Sequence, residues 1–146
     1  MKYDADEPPD AAAWLAASEL ERIDAAREYC ARHEADLPEV ELHAMIHAAV
    51  EAQIALGDET PVAAVQRRLL AEGLSRHETI HAIGAVLADH LFNLVHAEAE
   101  GSGANEAYHA ALESLTAASW RAMAEEPPRP RKRKKGPRWR PKRRRK

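Results

Sequence analysis

Signals that start and stop helices divide the chain into five segments, and this division limits what the chain can fold into. Asp10, Thr60, Ser75 and Asn105 each precede a run of helix-forming residues and are suited to the N-cap position. The remaining segment, residues 36–57, has a proline in its first turn and a glycine just past its end. No stretch alternates apolar and polar residues as a half-buried strand does. The sequence therefore predicts an all-α protein, a small antiparallel bundle of about five helices.

The helical pattern covers residues 10–126, between an acidic N-terminal segment and a basic C-terminal tail. We expect residues 1–9 to be flexible, and a chain of 146 residues has room for one helical domain. No apolar run is long enough for a membrane span, and the N-terminus lacks the features of a signal peptide. The sequence thus predicts a cytoplasmic protein without a transmembrane segment. Cys30 is the only cysteine, which excludes an intramolecular disulfide and a thiolate-rich zinc site.

The net charge of −3 conceals two oppositely charged parts of the chain. Residues 127–146 hold 13 of the 21 Lys and Arg and none of the 24 acidic residues, so residues 1–126 carry 8 minus 24, a charge of −16. The tail is also rich in proline and cannot bury a core, so we expect it to be disordered. Its candidate nucleic-acid-binding residues are Arg131, Lys132, Arg133, Lys134, Lys135, Arg138, Trp139, Arg140, Lys142, Arg143, Arg144, Arg145 and Lys146.

The high positive charge of the tail predicts an anionic partner. A phosphate backbone attracts clustered Lys and Arg by counterion release, and Trp139 can stack on an unpaired base, so nucleic acid or the ribosome is the first interpretation. The second is intramolecular docking of the tail on the acidic body of the same chain. An anionic membrane surface is a third, although no amphipathic helix supports it.

Two histidine pairs carry the candidate chemistry. His43, His47 and Glu51 lie at successive turns of the second helix, and His77 and His81 lie one turn apart on the fourth. If the second, third and fourth helices run up, down and up, the second and fourth are parallel and the two pairs lie level. Imidazole and carboxylate ligands then predict a divalent transition metal site for Zn, Ni, Fe or Mn.

The second pair is part of an HExxH motif, His77 to His81, which is the spacing of zinc proteases. An alternative function is therefore a metal-dependent hydrolase with Glu78 as general base. Against it, Ser75 and Glu78 have the spacing of a capping box, and Leu87 stands where metzincins place a third histidine. A further alternative is an interaction module without metal, whose histidines are satisfied inside the core.

Two spaced motifs extend these pairs. An H-xxx-H-xxx-E-x-Q stretch runs from His43 to Gln53, and a G-L-x-R-H-E-x-x-H-x-I-G stretch runs from Gly73 to Gly84. On these motifs, residues 42–95 resemble an uncharacterised bacterial family of helical domains of unknown function. The resemblance implies that the two histidine pairs act as one unit, and it implies no activity.

Overall fold

The computed structural model describes residues 1–34, 39–96 and 104–125, and these ranges contain seven α-helices and no strand. In chain order the helices are α1 (Ala11–Ala16), α2 (Glu19–His33), α3 (Val40–Ala55), α4 (Val62–Ala71), α5 (Arg76–His96), α6 (Ala104–Ser114) and α7 (Ala117–Glu125). A short 3-10 turn, Gly57–Glu59, separates α3 from α4. The predicted all-α class is thus confirmed, while the predicted basic tail lies outside the described residues.

Two of the five predicted helices are each divided in two by a hydroxyl-bearing residue. Ser18 ends the first helical run and caps α2, where its side chain accepts from the Glu21 amide and the Glu21 carboxylate accepts from the Ser18 amide. Thr116 and Ser119 make the equivalent reciprocal contacts at the start of α7, each at 3.0 Å. Serine and threonine side chains compete with the helical backbone for hydrogen bonds, which explains both breaks.

The boundary between α4 and α5 follows the predicted signals. Gly73 adopts a φ of +101°, and the amide of Leu74 donates to the carbonyl of Leu69 at 3.2 Å, which closes the end of α4. At the start of α5 the Ser75 amide donates to the Glu78 carboxylate at 2.8 Å, and the Glu78 amide donates to the Ser75 hydroxyl at 3.1 Å. The predicted capping box is therefore present.

Within the N-terminal segment, residues 1–9, which we expected to be flexible, Tyr3 and Ala5 are packed against the helices. Tyr3 is 5% exposed and Ala5 is fully buried. The Tyr3 ring lies 5.4 Å from the ring of Trp14, and Arg76 donates to the Ala5 carbonyl at 2.8 Å. The acidic composition of the segment predicted a flexible terminus, but the buried ring of Tyr3 attaches the segment to the helices.

Two apolar clusters form the interior, and α3 contributes to both. One contains the N-terminal segment, α1, α2 and the Ala44 and Ala48 side of α3. The other contains Val50 of α3 with residues of α4, α5, α6 and α7. The described helices include none that is both long and apolar enough to cross a membrane. The polar face of α3 lies between the two clusters, and this is where the candidate site is found.

Candidate metal centre

Helices α3 and α5 cross closely at Gly84. A Cβ atom added to Gly84 would lie 2.7 Å from Cγ2 of Ile46, so the approach requires glycine. The parallel arrangement predicted for these helices is wrong near the site. Glu51, late in α3, pairs with Arg76 at the start of α5, whereas the earlier Ile46 contacts the later Gly84. The two histidine pairs lie beside this crossing, and they therefore meet without the helices being parallel.

The four predicted histidines point their Nε2 atoms towards a common centre. His47 Nε2 lies 3.1 Å from His43 Nε2 and 3.1 Å from His81 Nε2. The ring centroids of His77 and His81 are 4.3 Å apart, and those of His43 and His81 are 4.9 Å apart. All four rings thus share one small volume between α3 and α5.

A fifth group, the carboxylate of Glu34, occupies the middle of the four rings. Its Oε1 lies 2.8 Å from His77 Nε2 and 2.9 Å from His81 Nε2. Its Oε2 lies 2.6 Å from His43 Nε2 and 3.8 Å from His47 Nε2. The ligand atoms of Glu34, His47, His77 and His81 all lie within 4.8 Å of one another, the spacing of groups that can hold one metal ion.

The contact between Glu34 and His43 is not an ordinary hydrogen bond. Oε2 of Glu34 is buried and has no hydrogen-bond partner among the described residues, although His43 Nε2 is only 2.6 Å away. The imidazole therefore does not direct an N–H at this oxygen. Buried polar atoms are nearly always satisfied, so an oxygen and a nitrogen that face the same point without bonding each other are suited to a cation at that point.

A chain of hydrogen bonds fixes which nitrogen of His47 carries the proton. Arg76, which can only donate, holds both oxygens of the Glu51 carboxylate at 2.8 and 2.7 Å. Tyr3 donates its hydroxyl proton to Glu51 Oε1 at 2.9 Å. The Tyr3 oxygen lies 3.0 Å from His47 Nδ1. Because its only hydrogen is directed at Glu51, this oxygen must accept from an Nδ1–H of His47. His47 Nε2 is then left with a free lone pair directed at the centre, as in histidines that bind metals.

The sequence predicted Glu51 as a metal ligand, but the structure places its carboxylate against Arg76 and Tyr3 rather than at the centre. Its side chain is 1% exposed, and both oxygens are taken by Arg76 and Tyr3. It orients His47 through Tyr3 rather than facing the centre itself.

The protonation of the cluster follows from burial and from the neighbouring charges. Burial, followed by the charges of His43 and His81, lowers the pKa of His47 to about 3, so its imidazole is neutral at pH 7. The pKa of His81 is lowered by burial and by His77. Burial alone would raise the pKa of Glu34, but His43 and other neighbours bring it below its usual range. Neutral imidazoles and an ionised carboxylate are the forms that bind metal.

Cys30 lies at the edge of the cluster as a protonated thiol. Its sulfur belongs to a second group of potential ligand atoms, with Glu34, His43 and His47, whose members also lie within 4.8 Å of one another. The side chain is fully buried, and burial, followed by the neighbouring Glu34 carboxylate, raises the pKa of the thiol to about 12. At neutral pH the thiolate form that binds metals is therefore disfavoured.

Glu78, the candidate base of the hydrolase hypothesis, is exposed at the start of α5. Its carboxylate accepts from the Ser75 amide, and this contact lowers the pKa of Glu78. Glu78 belongs to neither group of potential metal ligands among the described residues. Among the described residues, the HExxH motif thus supplies two potential ligands, His77 and His81, and a helix cap, Glu78.

Sequence reasoning missed Glu34, Tyr3 and Cys30. Cys30 lies in the last turn of α2 and Glu34, four residues later, is its C-cap residue, and this spacing was the available signal. Tyr3 gave no signal beyond being an aromatic residue in an acidic segment.

No family model, curated protein or solved structure matches this chain. The resemblance of residues 42–95 to an uncharacterised family therefore stays a prediction.

Proposed function

We propose that this protein binds one divalent transition metal ion through Glu34 and the Nε2 atoms of His43, His47, His77 and His81. The observation that carries the proposal is a pair of overlapping sets of potential ligand atoms, each within 4.8 Å of one another, that share Glu34 and His47. One set includes His43 and the other includes His77 and His81, and the buried Glu34 Oε2 lacks a hydrogen bond beside His43. The lone pair of His47, fixed by Tyr3, points to the same centre.

The donor set favours an ion that accepts six ligands. Five protein donors exceed the four of a structural zinc site. In tetrahedral zinc with bonds of about 2.05 Å, nitrogen atoms are roughly 3.3 Å apart, whereas in an octahedron with bonds of about 2.1 Å neighbouring ligands are roughly 3.0 Å apart. The two 3.1 Å separations at His47 lie between these values, so the number of donors, rather than their spacing, favours six-coordination. Imidazole and carboxylate suit zinc as well as iron, manganese and nickel, and the number of donors is the reason for placing the last three ahead of zinc.

The competing interpretation is a network without metal. In it, Nε2–H groups of His43, His77 and His81 donate to Glu34 and to the lone pair of His47. This network satisfies Oε1 of Glu34, since His77 lies 2.8 Å away with hydrogen-bond geometry. It leaves Oε2 unexplained, because the neighbouring His43 does not donate to it. This atom is the reason for preferring the metal.

The test is to titrate the metal-stripped full-length chain with Mn(II), Fe(II), Co(II), Ni(II) and Zn(II), measuring bound metal and Tm. We expect about one ion per chain and a rise in Tm, since an ion that binds only the folded state stabilises it. His47→Gln should lose both effects. His96→Gln, which changes an exposed histidine bonded to the Phe92 carbonyl, should keep both. An unchanged Tm in the wild type, or equal losses in the two variants, would contradict the proposal.

We further propose that the basic tail tethers this metal-binding domain to nucleic acid. The support is its composition, 13 basic residues and no acid within residues 127–146. For single-stranded RNA, the affinity should fall with rising salt concentration. Replacing Arg143, Arg144 and Arg145 by Ser should make the slope of log affinity against log salt less negative by about 2. Binding of the tail to the acidic body instead would appear as salt-dependent compaction of the chain without RNA affinity.

A further inference from the structure

An open cavity of about 310 Å³ leads from the surface to the candidate metal centre. Three of the proposed ligands, His43, His47 and His81, form part of its wall. The rest of the wall is mostly apolar and comes from α3, α5 and α7, with Ile46, Ile80, Gly84, Ala85, Ala88 and Trp120 among its residues. Of the described side chains that line it, Glu39 is the one acidic group.

The cavity meets the centre on a side that the carboxylate does not occupy. Neither Glu34 nor His77 lines it. If five protein groups bind a six-coordinate ion, one position stays free, and the cavity is the route by which a sixth ligand reaches it. A divalent ion beside the single carboxylate of Glu34 keeps a net positive charge, so the free position favours an anionic ligand.

We propose that this cavity binds a small organic anion, a monocarboxylate with a short apolar chain, whose carboxylate takes the sixth position on the metal. This inference rests on the proposed function. The carboxylate would complete the coordination, and the hydrocarbon chain would lie against Ile46, Ile80 and Trp120. A space of 310 Å³ equals roughly ten water molecules in the liquid, enough for a chain of a few carbons. The cavity has the form common to small-molecule sites, apolar walls around a few convergent polar groups.

The experiment uses the full-length chain loaded with Co(II), whose visible absorption reports a change of ligand, titrated with hexanoate and with acetate. Each buried methylene contributes several-fold in affinity, so we expect hexanoate to half-saturate at a concentration at least about tenfold below acetate. Ala85→Leu, which fills the cavity and leaves every proposed ligand in the sequence, should remove this preference. Ala107→Leu makes the same change at an exposed position of α6 and should keep it.

The possible results separate this inference from the proposed function. If Co(II) binds and its spectrum is unchanged by either anion, or both anions act at the same concentration, the cavity proposal is wrong and the metal site stands. If Co(II) does not bind the folded chain, both are wrong. Should Ala85→Leu fail to fold, Ala88→Leu fills the same cavity from the next turn of α5, and loss of the hexanoate preference in that variant is the expected result. Retention of the preference in a folded cavity variant would overturn the proposal.

Discussion

The hydroxyl of Tyr3 lies 3.0 Å from Nδ1 of His47, and it connects the N-terminal segment to the centre of the histidine cluster. Because the Tyr3 hydroxyl donates its hydrogen bond to Glu51, it can only accept one from His47. The proton of the His47 imidazole is therefore on Nδ1, and Nε2 is free. A residue 44 positions away in the sequence thus sets the protonation of the most buried histidine.

Tyr3→Phe should therefore weaken metal binding while leaving the fold in place. Loss of a hydrogen-bond partner of a ligating histidine usually lowers metal affinity by about 10–100-fold. Competition with a chelator of known affinity measures the change. Tyr108→Phe is the matched control, since its hydroxyl bonds Gln53 at 2.6 Å, away from the cluster, and its metal affinity should match the wild type. Equal affinities in all three proteins would show that Tyr3 does not orient His47.

Glu34→Gln should abolish tight metal binding, and Glu78→Gln should not. Glu34 supplies the only negative charge proposed to touch the ion, so its loss should cost at least about 100-fold, the upper end of the effect of removing a ligand's hydrogen-bond partner. Glu78 caps α5, and glutamine can fill the same capping role. Metal content after dialysis measures the difference. If metal is retained without Glu34, or lost without Glu78, the ligand assignment made here would be wrong.

Cys30→Ser should bind metal as the wild type does. The thiol is protonated at neutral pH because burial and the neighbouring Glu34 raise its pKa to about 12, and a protonated thiol is not the form that binds metals. In the Co(II) form of the wild type we expect no intense near-ultraviolet band from sulfur bonded to cobalt. Such a band, absent in the serine variant, would place Cys30 among the ligands.

Acid should destabilise the metal-free protein through His47. Its pKa is about 6.5 in the unfolded chain and is lowered to about 3 in the fold, so between these values the unfolded chain binds a proton that the folded chain does not. The free energy of unfolding should then fall as the pH falls from about 6.5 towards 3, by up to about 1 kcal/mol for each pH unit. His81, whose pKa is also lowered, acts in the same direction.

Urea unfolding in the presence of chelator at pH 7.5, 6.5 and 5.5 measures this dependence. His47→Gln should have a shallower dependence on pH, because glutamine does not titrate. Identical slopes for the two proteins would indicate that His47 is not held neutral by burial.

Local signals predicted the helical class, the end of α4 at Gly73 and the capping box of Ser75 and Glu78, because each depends on residues a few positions apart. They also indicated that the two histidine pairs belong together, although the parallel helices from which this was inferred are wrong near the site. The central carboxylate could not be found in this way. Glu34 ends a helix that sequence reasoning placed outside the site, and Tyr3 reaches the cluster through tertiary packing. Glu51 was correctly linked to the histidines, but only the position of Arg76 shows that its charge is already paired.

Elemental analysis of the full-length chain, purified without affinity tag or chelator beside His47→Gln, tests the central claim most directly. Five converging donors predict about one equivalent of iron, manganese or nickel per chain in the wild type and a small fraction of that in the variant. A folded wild-type protein that contains no transition metal, and takes up none when metal is supplied, would contradict the account. The cluster would then be a hydrogen-bonded polar network at the crossing of α3 and α5.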